Sequence, residues 1–207
     1  MNDTTRSAVY LPHNEPYLGN DQVLAFDLAI PPALAFHTRI GRRTFEGNLS
    51  PLQVAATEII PQGVSIALSI RELVRQAYLY SAAILIRPLV ERTGTIRYLQ
   101  LNPSAVEDWR SGWPRKKQPT FDNLLDLLHP NLPDSSQDAL RTLLHKLVHS
   151  DPAGSVYNML TRHDGVPVFS SGKVIDHPLL CQSVCAAGVC YLKILVQTAR
   201  EIFPDAA

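Results

Sequence analysis

A chain of 207 residues, 45% apolar and 18% charged, can bury a single globular core and is too apolar to stay disordered. Its 19 basic and 19 acidic residues cancel, which excludes a nucleic-acid binder that works through bulk positive charge; any such contact has to be local. Three cysteines, Cys181, Cys185 and Cys190, are an odd count and exclude a disulfide framework, so a reducing cytoplasm is the expected compartment.

The first twenty residues are polar and interrupted by Pro12 and Pro16, which predicts an irregular arm ahead of a single α-helical domain over 21–207. No basic segment followed by an apolar run opens the chain, so no signal peptide is expected. Residues 23–45 have helical character, with Pro31 and Pro32 expected to end or kink the helix. Ser50-Pro51 is a cap followed by proline at the first helical position, and it opens a helix to Ile60 that Pro61 and Gly63 punctuate. From 64 to 101 apolar residues recur at three and four positions, the period of one long central helix, kinked where Pro88 removes a backbone donor. On its other face Arg71, Glu72 and Arg75 read as a solvated stripe.

Asn102-Pro103 predicts a short helix to Trp109, and residues 112–119 form a basic loop. Thr120 caps a leucine-rich helix. Residues 135–148 carry a leucine stripe at helical spacing, and the Gly-, Pro- and Ser-rich 151–176 follows, with 166–169 extended. A last helix runs from His177-Pro178 to about Phe203. The long apolar stretches read as core helices rather than membrane spans, because Arg87, Gln182 and Lys193 interrupt them. The expectation is an all-α bundle.

Arg87 and Glu91 stand four apart on one helix face, within an apolar segment where neither belongs unless paired or working. They read either as a catalytic or ligand-gripping pair or as an ion pair that fixes helix register. Arg141, His145 and His149 form a second ribbon at spacing four. It suits a ribonuclease-like arrangement, with histidine as general base, arginine on the phosphate and Asp151 orienting the His149 ring. A helix flank ending in histidine accounts for it equally. Arg115, Lys116 and Lys117, flanked by Trp109 and Trp113, can grip nucleic acid by charge and stacking or form a solvated loop. The cysteines read as small core residues. No metal spacing, phosphate loop or nucleophile elbow occurs, so neither metal nor cofactor is expected.

The segments Ile-Pro-Gln-Gly-Val-Ser-Ile-Ala-Leu-Ser-Ile-Arg-Glu-Leu (60–73), Arg-Pro-Leu-Val-Glu (87–91, within 85–92), Asn-Pro-Ser-Ala-Val (102–106) and Leu-Val-His-Ser-Asp-Pro (147–152) resemble a family of bacterial helical proteins distantly similar to the HEPN superfamily. That resemblance implies a helical bundle, homodimerisation or a protein partner, and a place in phage defence or a toxin–antitoxin assembly. HEPN ribonucleases carry an arginine and a histidine at a set short spacing. Here Arg141 leaves three residues before His145 and seven before His149, and neither matches. The resemblance therefore implies a binding or regulatory module working through protein contacts. A metal-independent endoribonuclease acting on RNA, with Arg87 and Glu91 facing His149 in a composite site, is the alternative.

Overall fold

The computed structural model describes residues 9–114, 116–148, 159–161, 167–169 and 172–206. These form an all-α bundle of α1 (Asp21–Phe45), α2 (Pro51–Arg75), α3 (Leu79–Ile84), α4 (Ile86–Leu101), α5 (Ala105–Arg110), α6 (Phe121–Leu128), α7 (Asp134–Val148) and α8 (Pro178–Ile202). A 3-10 turn, Pro204–Ala206, follows. The extended segment expected at 166–169 is a short strand, β2 (Pro167–Phe169), paired antiparallel with β1 (Met159–Thr161).

The final helix is the axis of the bundle. Its apolar residues recur on almost every side, and α1, α2 and α4 pack around it to bury Leu180, Val184, Leu192 and Leu195. Close approach is set by small residues. A Cβ at Gly188 would stand 2.6 Å from the Phe26 ring, and one at Gly94 would stand 2.7 Å from Leu124 Cβ, so α1 meets α8, and α4 meets α6, through bare backbone. Phe26 beside Gly188 and Phe36 beside Arg200 show that α1 and α8 run in the same direction. Cys181 and Cys185 are buried, the core placement expected of all three cysteines, but Cys190 is exposed, because it lies on a side of α8 that faces solvent.

Local chemistry explains the helix starts. Ser50 and Gln53 form a capping box at α2, Thr120 and Asn123 another at α6, and His177 accepts the Leu180 N–H through Nδ1 at the head of α8.

The expected long kinked helix over 64–101 is three helices instead. α2 stops at Arg75 because Ala77 takes a left-handed φ of 63° and the Tyr78 N–H donates to Leu73 O at 2.8 Å, a closing turn normally marked by glycine. Val174 N–H donates to the Ala77 carbonyl at 2.9 Å and holds that turn from outside. Pro88 lies in the first turn of α4, where its missing N–H costs little, so the break falls at Leu85. Conversely Pro31, Pro32 and Pro61 lie inside unbroken helices. Pro31 and Pro32 face solvent, where water satisfies the carbonyls they leave unpaired, while Phe26, Ala33 and Phe36 hold both halves of α1 on the core. Asn102 ends α4 by donating to Tyr98 O rather than capping α5.

The N-terminal segment is irregular, as expected, but it is no free arm. Arg71, expected on a solvated face, is buried, and its guanidinium binds Glu15 in a two-pronged pair (2.7 and 2.8 Å) and Asp27 at 2.6 and 2.9 Å. Burial disfavours this charge, yet the hydrogen bonds to Asp27 and Glu15 outweigh it and raise the arginine above its ordinary value. Arg75 and Gln76 bind Tyr10 O, and the buried Tyr17 hydroxyl donates to Val174 O. Residues 9–20 are thus a strap from α2 to the head of α8. Glu15→Ala should cost about 3 kcal/mol in urea unfolding, because it strands a buried cation with one partner. A loss close to that of an exposed pair, under about 1 kcal/mol, would show the strap to be inessential.

Candidate functional site

The segment around Arg87 builds one wall of a polar cleft of about 320 Å³. From α4 it takes Glu91, Arg92 and Thr95, from α2 Gln62, and from α5 and the loop beyond it Trp109 and Trp113. Phe121 at the head of α6 closes it. Arg92 Nε donates to Gln62 Oε1 at 2.8 Å, and Trp113 stands edge-on to Tyr98 with ring centres 6.2 Å apart. Trp113 has a left-handed φ of 56°, rare for so bulky a residue, at the turn that brings the loop back over the cleft.

Arg87 and Glu91 do pair, with Nε 3.2 Å from Oε1. The pair is half-buried rather than enclosed: the side chains are 18% and 36% exposed. The Arg87 guanidinium also lies 4.6 Å from the centre of the Phe121 ring. Held by a carboxylate and a ring face, Arg87 braces α4 against α6, and Glu91 is the member that reaches the cleft. His149 and Asp151, the other expected members of a composite site, lie outside the described residues, as does Arg115.

Arg141 is closed in by acids. Nη1 binds Asp138 at 2.7 Å, Nη2 binds Asp126 at 3.2 Å, and Nε stands 2.9 Å from Asp122 without hydrogen-bonding alignment. Three carboxylates around one guanidinium tie α6 to α7 and oppose an incoming phosphate. His145 is exposed on the same helix. In the basic loop Lys117 is bound to Asp108 at 2.9 Å, and Lys116, with φ 72°, points outward among exposed residues.

Sequence reasoning passed over His129. Its Nε2 lies 2.9 Å from the buried Tyr191 hydroxyl, and the two rings meet edge-to-face at 5.5 Å. Burial holds the imidazole below its ordinary value and pushes the Tyr191 phenol up. No periodicity marks this pair: His129 ends α6 and Tyr191 is mid-α8.

A second surface lies on the opposite element. α1 is long and apolar enough to cross a membrane by length and composition, and so is α8, but the apolar window of α8 is 56% buried and that of α1 only 28%. Part of the remainder of α1 faces outward. Leu24 is 56% and Leu28 68% exposed, and Pro31 and Ala35 continue the line at steps of four, three and four residues. Beside it a groove of about 550 Å³ runs between α1 and α8, floored by Ala25, Ala29 and Val196 and edged by Lys193 and Arg200.

Among the described residues no cluster of histidine, cysteine and carboxylate side chains could hold a metal ion. Comparison of the chain with protein-family models, curated proteins and solved structures finds no match to any of them.

Two outcomes are expected from these contacts. Glu91→Ala should cost no more than about 1 kcal/mol, since Arg87 keeps solvent and the Phe121 ring; a loss of about 3 kcal/mol in urea unfolding would mean a fully desolvated pair. The second concerns acid. Native His129 holds a proton less readily than the unfolded chain, so stability is full above the ordinary histidine value near 6.5 and falls as pH drops through the lower native one. His129→Gln should therefore shrink the difference in Tm between about pH 7 and pH 5. An unchanged difference would show that the imidazole is not shielded.

Proposed function

We propose that this protein is a helical binding module, of the defence or toxin–antitoxin kind that the HEPN-like resemblance implies, and that it acts by docking a helix of a protein partner on the outward face of α1. The carrying observation is the exposed line Leu24, Leu28, Pro31, Ala35. A solvent-facing helix ordinarily turns polar residues outward. Alternating steps of three and four are the seam spacing by which one helix accepts another, and an apolar strip edged by charge is the usual form of a docking site. The face lies on the outside of the bundle, so a partner can dock without unfolding it.

The endoribonuclease alternative has less support. The arginine that would hold the phosphate already serves three carboxylates, and the Arg87–Glu91 pair braces two helices. A photo-crosslinking residue at position 28 of the full chain, in its native cells, should give a discrete protein adduct that Leu24→Asp abolishes. The same residue at Glu107, exposed on α5, should give none. Equal adducts from both positions, or none from position 28, would sink the docking face.

A further inference from the structure

The apolar line on α1 runs out at Ala35, and the same outward side then turns basic. Arg39 and Arg42 follow on α1, and Lys193 and Arg200 stand on the facing edge of α8. Arg43, beside them, opens into an adjoining hollow of about 440 Å³ at the end of α1.

Among the described residues these cations differ from most other arginines of the bundle, Arg92 (bound to Gln62) and Arg110 excepted. Arg43, Arg71, Arg75, Arg87, Arg97 and Arg141 each hold a carboxylate. Among the described residues none pairs with Arg39, Arg42, Lys193 or Arg200. Two of them are positioned all the same: the guanidinium groups of Arg39 and Arg200 lie 5.2 and 5.8 Å from the Phe36 ring centre. Glu46, Asp205 and Glu201 lie nearby, but Glu46 is taken by Arg43 at 3.3 Å and Glu201 by Arg97 at 2.6 Å. A chain with no net charge thus sets Arg39, Arg42 and Arg200 at one end of this apolar outward strip, with Lys193 along its edge.

We infer that the α1–α8 groove takes an amphipathic helix whose apolar seam covers Leu24 to Ala35, whose acidic end lies on Arg39, Arg42 and Arg200, and whose flank passes Lys193. This rests on the docking face proposed above and names its occupant. A helix is favoured over a flat lipid surface because the apolar floor is recessed between two parallel helices, the shape that admits a third. Acidity follows from charge complementarity. Direction follows as well. Acidic residues are favoured in the first turns of a helix, and the cations lie at the C-terminal end of α1, so the incoming helix runs antiparallel to α1.

The test uses the full chain and three probes. One is a fluorescent peptide of about 20 residues, long enough to span α1, with glutamates in its first two turns and leucines at alternating steps of three and four. The second has lysines for those glutamates. The third is vesicles of anionic phospholipid. The expected result is that the acidic peptide binds at least about tenfold more tightly than the basic one, weakens with added salt, and loses that preference in Arg39→Glu/Arg42→Glu and separately in Arg200→Glu. All three positions are exposed, and an unchanged circular dichroism spectrum confirms the fold of each variant. Equal affinity for both peptides, no binding of either, or binding to vesicles alone overturns the inference. Crosslinking from position 28 separates the two claims: an adduct there without acidic preference leaves the docking face and removes the acidic helix, and loss of both removes both.

Discussion

A guanidinium cannot shed its proton at any pH at which a protein folds, so an arginine placed inside a bundle must bring anions in with it. Arg71 does this. Its two carboxylate partners come from different parts of the chain, Glu15 from the lead-in and Asp27 from α1, and both must arrive for α2 to bury that face. With Glu15 fixed, Tyr17 falls within reach of Val174 O and of the His177 N–H at 3.4 Å, which places the head of α8. Val174 in turn binds the Ala77 carbonyl and steadies the turn that ends α2. One charge thus sets the lead-in, the α1–α2 crossing, the end of α2 and the start of the central helix.

Three arginines show how environment divides one chemistry. Arg71 is enclosed and holds two acids. Arg87 is half-buried, with a carboxylate on one side and a ring face on the other. Arg141 is nearer solvent and takes three acids from two helices. All three join elements, and the carboxylates they hold oppose an incoming phosphate. Among the described residues Arg39, Arg42, Lys193 and Arg200, beside the apolar face of α1, hold no carboxylate.

The two most apolar helices have opposite fates for one physical reason. α8 has neighbours on three sides, so most of its apolar surface is spent within the bundle. α1 has comparable length and rests on that same helix, but no helix among the described residues covers the side that carries Leu24 and Leu28. Burial stabilises in proportion to apolar area removed from water, and Leu24 and Leu28 contribute little to this chain alone.

Much of the fold was legible without coordinates. Period and capping gave an all-α bundle, the starts of α2, α6 and α8, the core placement of Cys181 and Cys185, and the Arg87–Glu91 pair, because each depends on residues within one helical turn of one another. The candidate cleft was half legible: Glu91, Trp109 and Trp113 stood out, but Gln62 and Phe121 join them only by packing. What needed tertiary structure was long-range. Ala77 ends a helix without glycine because Val174 holds the turn from nearly a hundred residues away. Proline positions did not decide breaks, since solvent relieves Pro31 and Pro32 and the first turn of α4 absorbs Pro88. Arg71 reads as one more charge on a polar stripe until Glu15 and Asp27 are brought to it, and the helical character of α1 does not say which of its faces is left uncovered. Local sequence determined which segments coil; only the packing of distant segments decided which charges are buried and which apolar face is left open.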